Sequence, residues 1–273
     1  MSYINLLKLN IKEHKDNYVQ ILRLSIADLK KKYHGAALGW FWAIVKPVVS
    51  IFVYWFAIEV GLRKGGDVDG FPFILWLIAG MVPWFYMNEL ITGGTECIRK
   101  YSYLVTKMKY PIMTIPTFTN ISKFIVNAIL VLVVIAIFWI CGYPPSIYLL
   151  QLPVYMVLMF LFFNAWSLFA GMVSAIGKDF SNLVKSFVTA VFWLSGVLWD
   201  VDKLAEKSVF FKVFFMVNPV TYFCYGFRKC FVYKKWFFED VEGLCCILAL
   251  YLILGFLSLW AYKKLRKEIP DVL

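Results

Sequence analysis

The stretch AGMVSAIGKDFSN, residues 170–182, sets two glycines and a lysine in an order that invites comparison with a phosphate-holding loop. Such a loop needs Gly, four residues, then Gly-Lys-Ser/Thr, so that backbone amides wrap the phosphates and the hydroxyl meets magnesium. Here five residues separate Gly171 from Gly177, and Asp179 stands where the hydroxyl belongs. A carboxylate there repels phosphate, and an apolar run precedes the stretch where a strand and turn would be needed. The chain is not expected to bind or hydrolyse a nucleotide at this place.

Other reactive residue types form no constellation. The cysteines at 97, 141, 224, 230, 245 and 246 contain no Cys-x-x-Cys pair. Most fall in or beside apolar runs, where cysteine is ordinarily a small buried hydrophobe. Cys224 and Cys230 lie on different faces of a helix, so no bridge is expected. His14 and His34 have no neighbouring ligand set, which argues against a metal site. A membrane-embedded enzyme would need a carboxylate or histidine pair at the membrane face. Glu59, Glu89 and Glu96 are the available acids, and none pairs with a histidine at helical spacing. Glu89, inside an apolar run, calls for a hydrogen bond within the bundle. Nothing here looks catalytic.

What must position these residues is a membrane bundle. Apolar residues make up 62% of the chain and charged ones 16%, with mean hydropathy +0.72; soluble domains sit near one half and about a quarter. A crossing helix needs about 20 mostly apolar residues, and six runs qualify, at 37–62, 71–94, 112–141, 147–177, 183–199 and 243–262. Between the last two, 203–238 is apolar but broken at Asn218-Pro219, which fits a pair of short helices dipping into the membrane and back. Irregular backbone at that depth survives only when shielded by protein or facing water. The fold class is therefore all-α integral membrane: six transmembrane helices, an N-terminal amphipathic interface helix and a re-entrant helical pair between spans five and six. Residues 1–34 form the interface segment and 35–273 a single six-span transmembrane domain.

The N-terminus lacks the unbroken apolar core of a secretory signal. The net charge of +11 comes from bases between the apolar runs, where membrane topology accounts for them and nucleic acid need not. Bases collect in the N-terminal segment, in 99–109, at 178–185 and in the C-terminal tail, whereas the opposite loops hold Arg63, Lys64 and a mixed set in 200–242. Both termini are expected in the cytoplasm. In 15–34, Tyr18, Leu22, Ile26, Leu29 and Tyr33 share a stripe while Lys15, Gln20, Arg23, Asp28 and Lys31 occupy other faces, the pattern of an interfacial helix. It serves as an anchor on anionic lipid or as a cuff passing motion from a partner into span one. Lys46, just before Pro47, requires either a helix starting nearer Trp40 or a wet cavity. Trp40, Trp42, Tyr54, Trp55 and Trp84 suit interfacial anchoring or a stacking path for sugars. A short helix at 97–108 would present Arg99, Lys100 and Lys107 to a cytoplasmic partner.

These features, in order, carry a resemblance: LGWFWAIVKPVVSIFVYW, FPFILWLIAGMVPWFYMNELITGG, YLVTKMKYPIMTIP, GKDF, LWD, NPVTYFCYGFRK and KKLRKEIPDVL. Over nearly its whole length the chain resembles the permease subunit of ABC exporters for polysaccharides and polyol phosphates, most of all teichoic acid translocation permeases. The resemblance implies two permease copies around a channel and two separate P-loop ATPase subunits that bind the ATP and magnesium, with no cofactor in this chain. It implies a substrate polymer on an undecaprenyl pyrophosphate lipid in the bacterial cytoplasmic membrane. Arg99, Lys100, Tyr101, Leu104, Lys107 and Tyr110 would form the main coupling helix, and Asp179 a second contact. Asn218, Pro219, Tyr222 and Arg228 would close the outer mouth, and Trp40, Trp42, Lys46, Tyr54 and Trp55 would line the path, with bases near the cytoplasmic entrance suited to the pyrophosphate. Lys46 departs from the uncharged polar residue expected before Pro47. A drug or haem exporter of the same type, and an enzyme acting on polyprenol-linked sugars, are the competing readings.

Overall fold

The computed structural model describes residues 2–35, 38–63, 67–68 and 70–273; Ala37, at the expected start of span one, and Lys64 lie outside them. Regular structure among these residues is helical, apart from an isolated bridge between Val68 and Phe71. The helices are α1 (Tyr3–Asp16), α2 (Tyr18–Tyr33), α3 (Trp42–Trp55), α4 (Phe73–Lys100), α5 (Ser102–Thr106), α6 (Ile115–Ile140) and α7 (Leu152–Ile176). They continue with α8 (Lys178–Leu194), α9 (Val201–Ala205), α10 (Val209–Val217), α11 (Pro219–Arg228), α12 (Val241–Leu265) and α13 (Ile269–Val272). Stretches built on α3, α4, α6, α7 and α12 are long and apolar enough to cross a membrane. The expected re-entrant pair is α10 and α11, bent by 88°.

The expected fifth span is α8, which starts earlier than read and has 17 residues. It rises about 25 Å at 1.5 Å per residue, less than the roughly 30 Å of bilayer hydrocarbon. Its charged start at Lys178-Asp179 and half-exposed sides make it a shorter, more amphipathic element than its neighbours.

α4 is the axis of the bundle. It packs against α3, α6, α7, α8 and α11, and 72% of its apolar stretch is buried within the chain, against 6% for span one. Span one begins with a 3-10 turn at Gly39–Phe41 and ends in wider π-type turns over Phe56–Arg63, so its helix does start nearer Trp40. The expected interface helix is α2, with α1 added before it. α2 buries Ile21, Ser25, Asp28, Leu29 and Tyr33 and leaves Tyr18, Leu22 and Ile26 exposed. The sequence stripe thus splits: one end docks on protein and the rest faces outward. Asp28, assigned by spacing to a polar face, is 7% exposed, because neighbouring helices supply it with donors.

The break between α10 and α11 is built by side chains that close backbone valences. Asn218 caps α11, its Oδ1 accepting from the amides of Val220 at 3.0 Å and Thr221 at 3.4 Å. Its Nδ2 donates to Ser195 Oγ at 2.8 Å, just past the end of α8. Pro219 takes the first helical position, where a missing N–H costs nothing. Arg228 is fully buried. Its Nη1 and Nη2 donate to the carbonyls of Gly196 and Val197, each at 2.5 Å, and its Nε donates to Trp76 O at 3.4 Å. The guanidinium also stacks on the Trp76 ring at 3.4 Å. α4 can pass this close because Gly80 has no side chain; a Cβ there would lie 2.3 Å from Arg228 Nη2.

Removing that fork leaves buried carbonyls without donors, at about 1–3 kcal/mol each. Arg228→Met is expected to lower the melting temperature in detergent sharply, and Gly80→Ala to do so by displacing the same guanidinium. Wild-type melting of both variants would disprove the keystone role.

Candidate functional site

The C-terminal third of α4 carries Glu89, Glu96, Arg99 and Lys100, and each engages a different part of the bundle. Glu89 accepts from Lys32 of α2 at 2.5 Å, which accounts for the acid inside an apolar run. Seven residues on, two turns along the same side, Glu96 accepts from Ser181 at 2.8 Å and Lys185 at 2.5 Å, both of α8. Arg99 Nη2 donates to Ser174 O at 2.5 Å and Ala175 O at 3.1 Å, the last turn of α7. A cation there satisfies orphan carbonyls and meets the negative end of the helix dipole. Arg99 is therefore turned into the bundle, contrary to the expected solvent-facing position.

Lys100 and Tyr101 converge on Asp28. Lys100 Nζ donates to Asp28 Oδ1 at 2.8 Å, the Tyr101 hydroxyl donates to the same oxygen, and Ser122 Oγ of α6 donates to Oδ2 at 2.5 Å. Burial alone would raise the Asp28 carboxyl, but the hydrogen bonds from Lys100, Ser122 and Tyr101 outweigh it and hold it below its ordinary range. Beside it, burial would lower the Lys32 ammonium, yet the Glu89 carboxylate holds it above its ordinary value. One carboxylate thus ties the surface helix α2 to the end of α4 and to α6.

Beyond this clamp the chain turns. The expected helix at 97–108 is divided: its first turn belongs to α4, Tyr101 marks the bend, and α5 forms the tip. Leu104 and Val105 pack inward with Ile98, Met113 and Phe118. Tyr103, Lys107, Met108 and Lys109 face outward. Lys109 takes a left-handed conformation, φ 51°, and the Tyr110 amide donates back to Leu104 O at 2.9 Å. Tyr110 is half-buried. Asp179 is exposed in the first turn of α8, where the helix dipole favours an acid.

The other sequence-derived residues separate into groups. Trp42 and Lys46 line a recess with Lys32, Glu89 and Lys123. Trp40 stacks on Tyr33 at 5.3 Å, Tyr54 packs on Phe192 at 4.9 Å, and Trp55 meets Phe52 at 5.9 Å. Tyr222 lies against Tyr155, centroids 5.9 Å apart, with both hydroxyls buried and unpartnered among the described residues. Sequence reasoning passed over Asp28 as a clamp and overlooked Lys123 and Asn127. The signal for Lys123 was present, since a charge inside an apolar span marks a functional position; Asp28 gave none beyond its place on an amphipathic helix.

A helical bundle with several membrane-long apolar helices, an amphipathic pair clamped to one end and an outward-facing turn beside it defines a multi-pass membrane protein of transporter type. The chain belongs to the ABC-2 type transporter family, whose sequence pattern matches residues 19–232. It is 22% identical over 254 residues to the O-antigen export system permease protein RfbA of Myxococcus xanthus, covering 92% of this chain and 94% of that protein. A protein of the same name from Klebsiella pneumoniae is 22% identical over 247 residues, covering 90% and 92%.

Replacing Asp28 by alanine takes the carboxylate from Lys100 and Tyr101 and leaves Ser122 only the Thr119 carbonyl, and is expected to loosen α2 by about 1–3 kcal/mol. Faster amide hydrogen exchange across residues 18–33 is the readout, and unchanged exchange would break the assignment. Because the folded-state carboxyl is depressed, its contribution is complete above the ordinary aspartate range and is lost only as pH falls through the lowered value. α2 should therefore resist release at neutral and mildly acidic pH and become sensitive to pepsin only under strongly acidic conditions.

Proposed function

We propose that this chain is the permease subunit of a polysaccharide exporter, with two copies forming the path and two separate P-loop ATPase subunits supplying the work. The observation that carries this reading is the wiring of the α4–α5 turn. Its outer face offers Tyr103, Lys107 and Met108 to a partner, while its inner face is bonded through Lys100 and Tyr101 to Asp28 on α2. A push on the turn must move α2, and through Lys32–Glu89 it also bears on the middle of α4. A motor protein docked at this turn would therefore act on the whole bundle. Asp179, exposed beside it on α8, is the second contact.

Polysaccharide as cargo is supported by relatives named as O-antigen export permeases that align with about nine-tenths of this chain. The polymer would travel on an undecaprenyl pyrophosphate carrier from the inner to the outer leaflet of the cytoplasmic membrane, with both termini inside; a teichoic-acid-type polyol phosphate is one such cargo. Two copies are expected because the five or six spans of one chain are too few to enclose a polymer path. The α10–α11 elbow, held by Asn218 and Arg228, would form the outer closure, and Trp42 and Lys46 the lower part of the path.

Affinity purification of the tagged chain from its own host in mild detergent is expected to recover a P-loop ATPase in equal amount, two copies of each. The double variant Tyr103→Ala, Lys107→Glu should lose the ATPase and surface polymer while melting as the wild type does. Recovery of the ATPase by that variant would move the docking site elsewhere, and recovery of no ATPase with the wild type would overturn the exporter reading.

A further inference from the structure

Between α2, α3, α4 and α6 lies a recess of about 140 Å³. Its walls carry three cations, Lys32, Lys46 and Lys123, and one acid, Glu89. Lys32 and Glu89 satisfy each other at 2.5 Å. The other two cations form no ion pair among the described residues. Lys123 donates one hydrogen bond, to Thr119 O at 3.1 Å, which leaves two of its three N–H groups free to donate. Lys46 makes no hydrogen bond or ion pair among the described residues, its ammonium lying 6.0 Å from the Trp42 ring. Asn127, 2% exposed, lines the same recess, and neither its Oδ1 nor its Nδ2 has a partner among the described residues. A buried amide with both ends idle is destabilising unless something fills the space.

An apolar groove of about 270 Å³ runs between α3 and α6, lined by Trp40, Phe41, Ile44 and Ile129, and it shares Ala43, Val126 and Leu130 with the basic recess. A charged pocket continued by an apolar channel has the shape of an amphiphile. Depth agrees: Lys46 lies seven residues, about 10 Å of helix rise, from Gly39 where span one begins, close enough to the membrane face for a headgroup. Lysines and an amide suit a phosphate, since ammonium groups bind phosphate as point charges and basic pockets between membrane helices hold phosphate headgroups.

We propose that this recess and groove hold one membrane lipid, its phosphate headgroup against Lys46, Lys123 and Asn127 and its chain along Trp40, Ile44 and Ile129. The chemistry is common to a polyprenyl pyrophosphate and to an anionic phospholipid. The site overlaps the lower path of the exporter reading and rests on it only where the occupant is the carrier; lipid retention by this chain is read without the ATPase, so failure of one is distinguishable from failure of the other.

The test is native mass spectrometry of the purified protein titrated separately with undecaprenyl pyrophosphate, dioleoyl phosphatidylglycerol and dioleoylglycerol, the last having the same chains without phosphate. One phosphate lipid per chain is expected to be retained in preference to dioleoylglycerol. Lys46→Gln and Asn127→Leu should each weaken that retention about tenfold, and Lys30→Gln with Lys31→Gln, on the exposed face of α2, should leave it unchanged. Asn127→Leu should also raise the melting temperature of the lipid-free protein, because it removes idle polar groups; an asparagine kept for folding would do the opposite. Preference for the polyprenyl lipid identifies the occupant as a carrier of the exported type, and equal retention of phosphatidylglycerol identifies a resident phospholipid. Equal retention of dioleoylglycerol, or unchanged retention by Lys46→Gln, overturns the proposal.

Discussion

A buried carboxylate in an apolar bundle must find donors, and Asp28 finds three, on two helices. That constraint organises one end of the molecule. Lys100, Tyr101 and Ser122 surround it, so α2 cannot shift along the bundle without leaving a charge uncompensated, at several kcal/mol. An amphipathic helix that would otherwise float at the membrane surface is held in one register. The adjacent pair Lys32–Glu89 fixes the same register a second time.

The same logic extends along α4. Its charged C-terminal third sends polar ties to α8, α7 and α2. Twenty residues away, about 30 Å along the axis, its small residue Gly80 admits Arg228, which binds the backbone beyond α8. α4 is thereby pinned near both ends, by charges at one and by a guanidinium fork at the other. Between those ends apolar contact, where dispersion is cumulative but not directional, is joined by the hydrogen bond from the buried Tyr86 hydroxyl to Asn120 of α6. A force applied at the α4–α5 turn is thus transmitted through directional bonds at its point of application.

Span one contrasts with this. It touches α4 along one side, leaves most of its surface exposed, and carries a cation at headgroup depth. The neighbourhood of Lys46, Lys123 and Asn127 gathers two cations without an ion pair and a buried amide without a partner among the described residues. It lies where the surface helix, the first span and the axial helix meet, so whatever fills it touches the moving parts.

Much of this was legible in order and composition. Apolar runs about twenty residues long dictate crossing helices because hydrocarbon offers no partner to backbone polar groups, and Asn218-Pro219 dictates a break because proline cannot continue a helix bonded from before it. The motif series from LGWFW to KKLRK placed the chain among exporter permeases, and the family match over residues 19–232 agrees. Tertiary structure alone decided which side chain meets which. Asp28 reads as a solvent-facing acid until α6 brings Ser122 within 2.5 Å. Arg99 reads as a docking charge until the end of α7 presents bare carbonyls to it. Arg228 reads as one residue of the outer closure until α4 and the chain beyond α8 close around it as a buried fork. Helical periodicity assigns a residue to a face, but the partner across that face comes from elements tens of residues away, and its donors and acceptors determine whether a charge is solvated or locked.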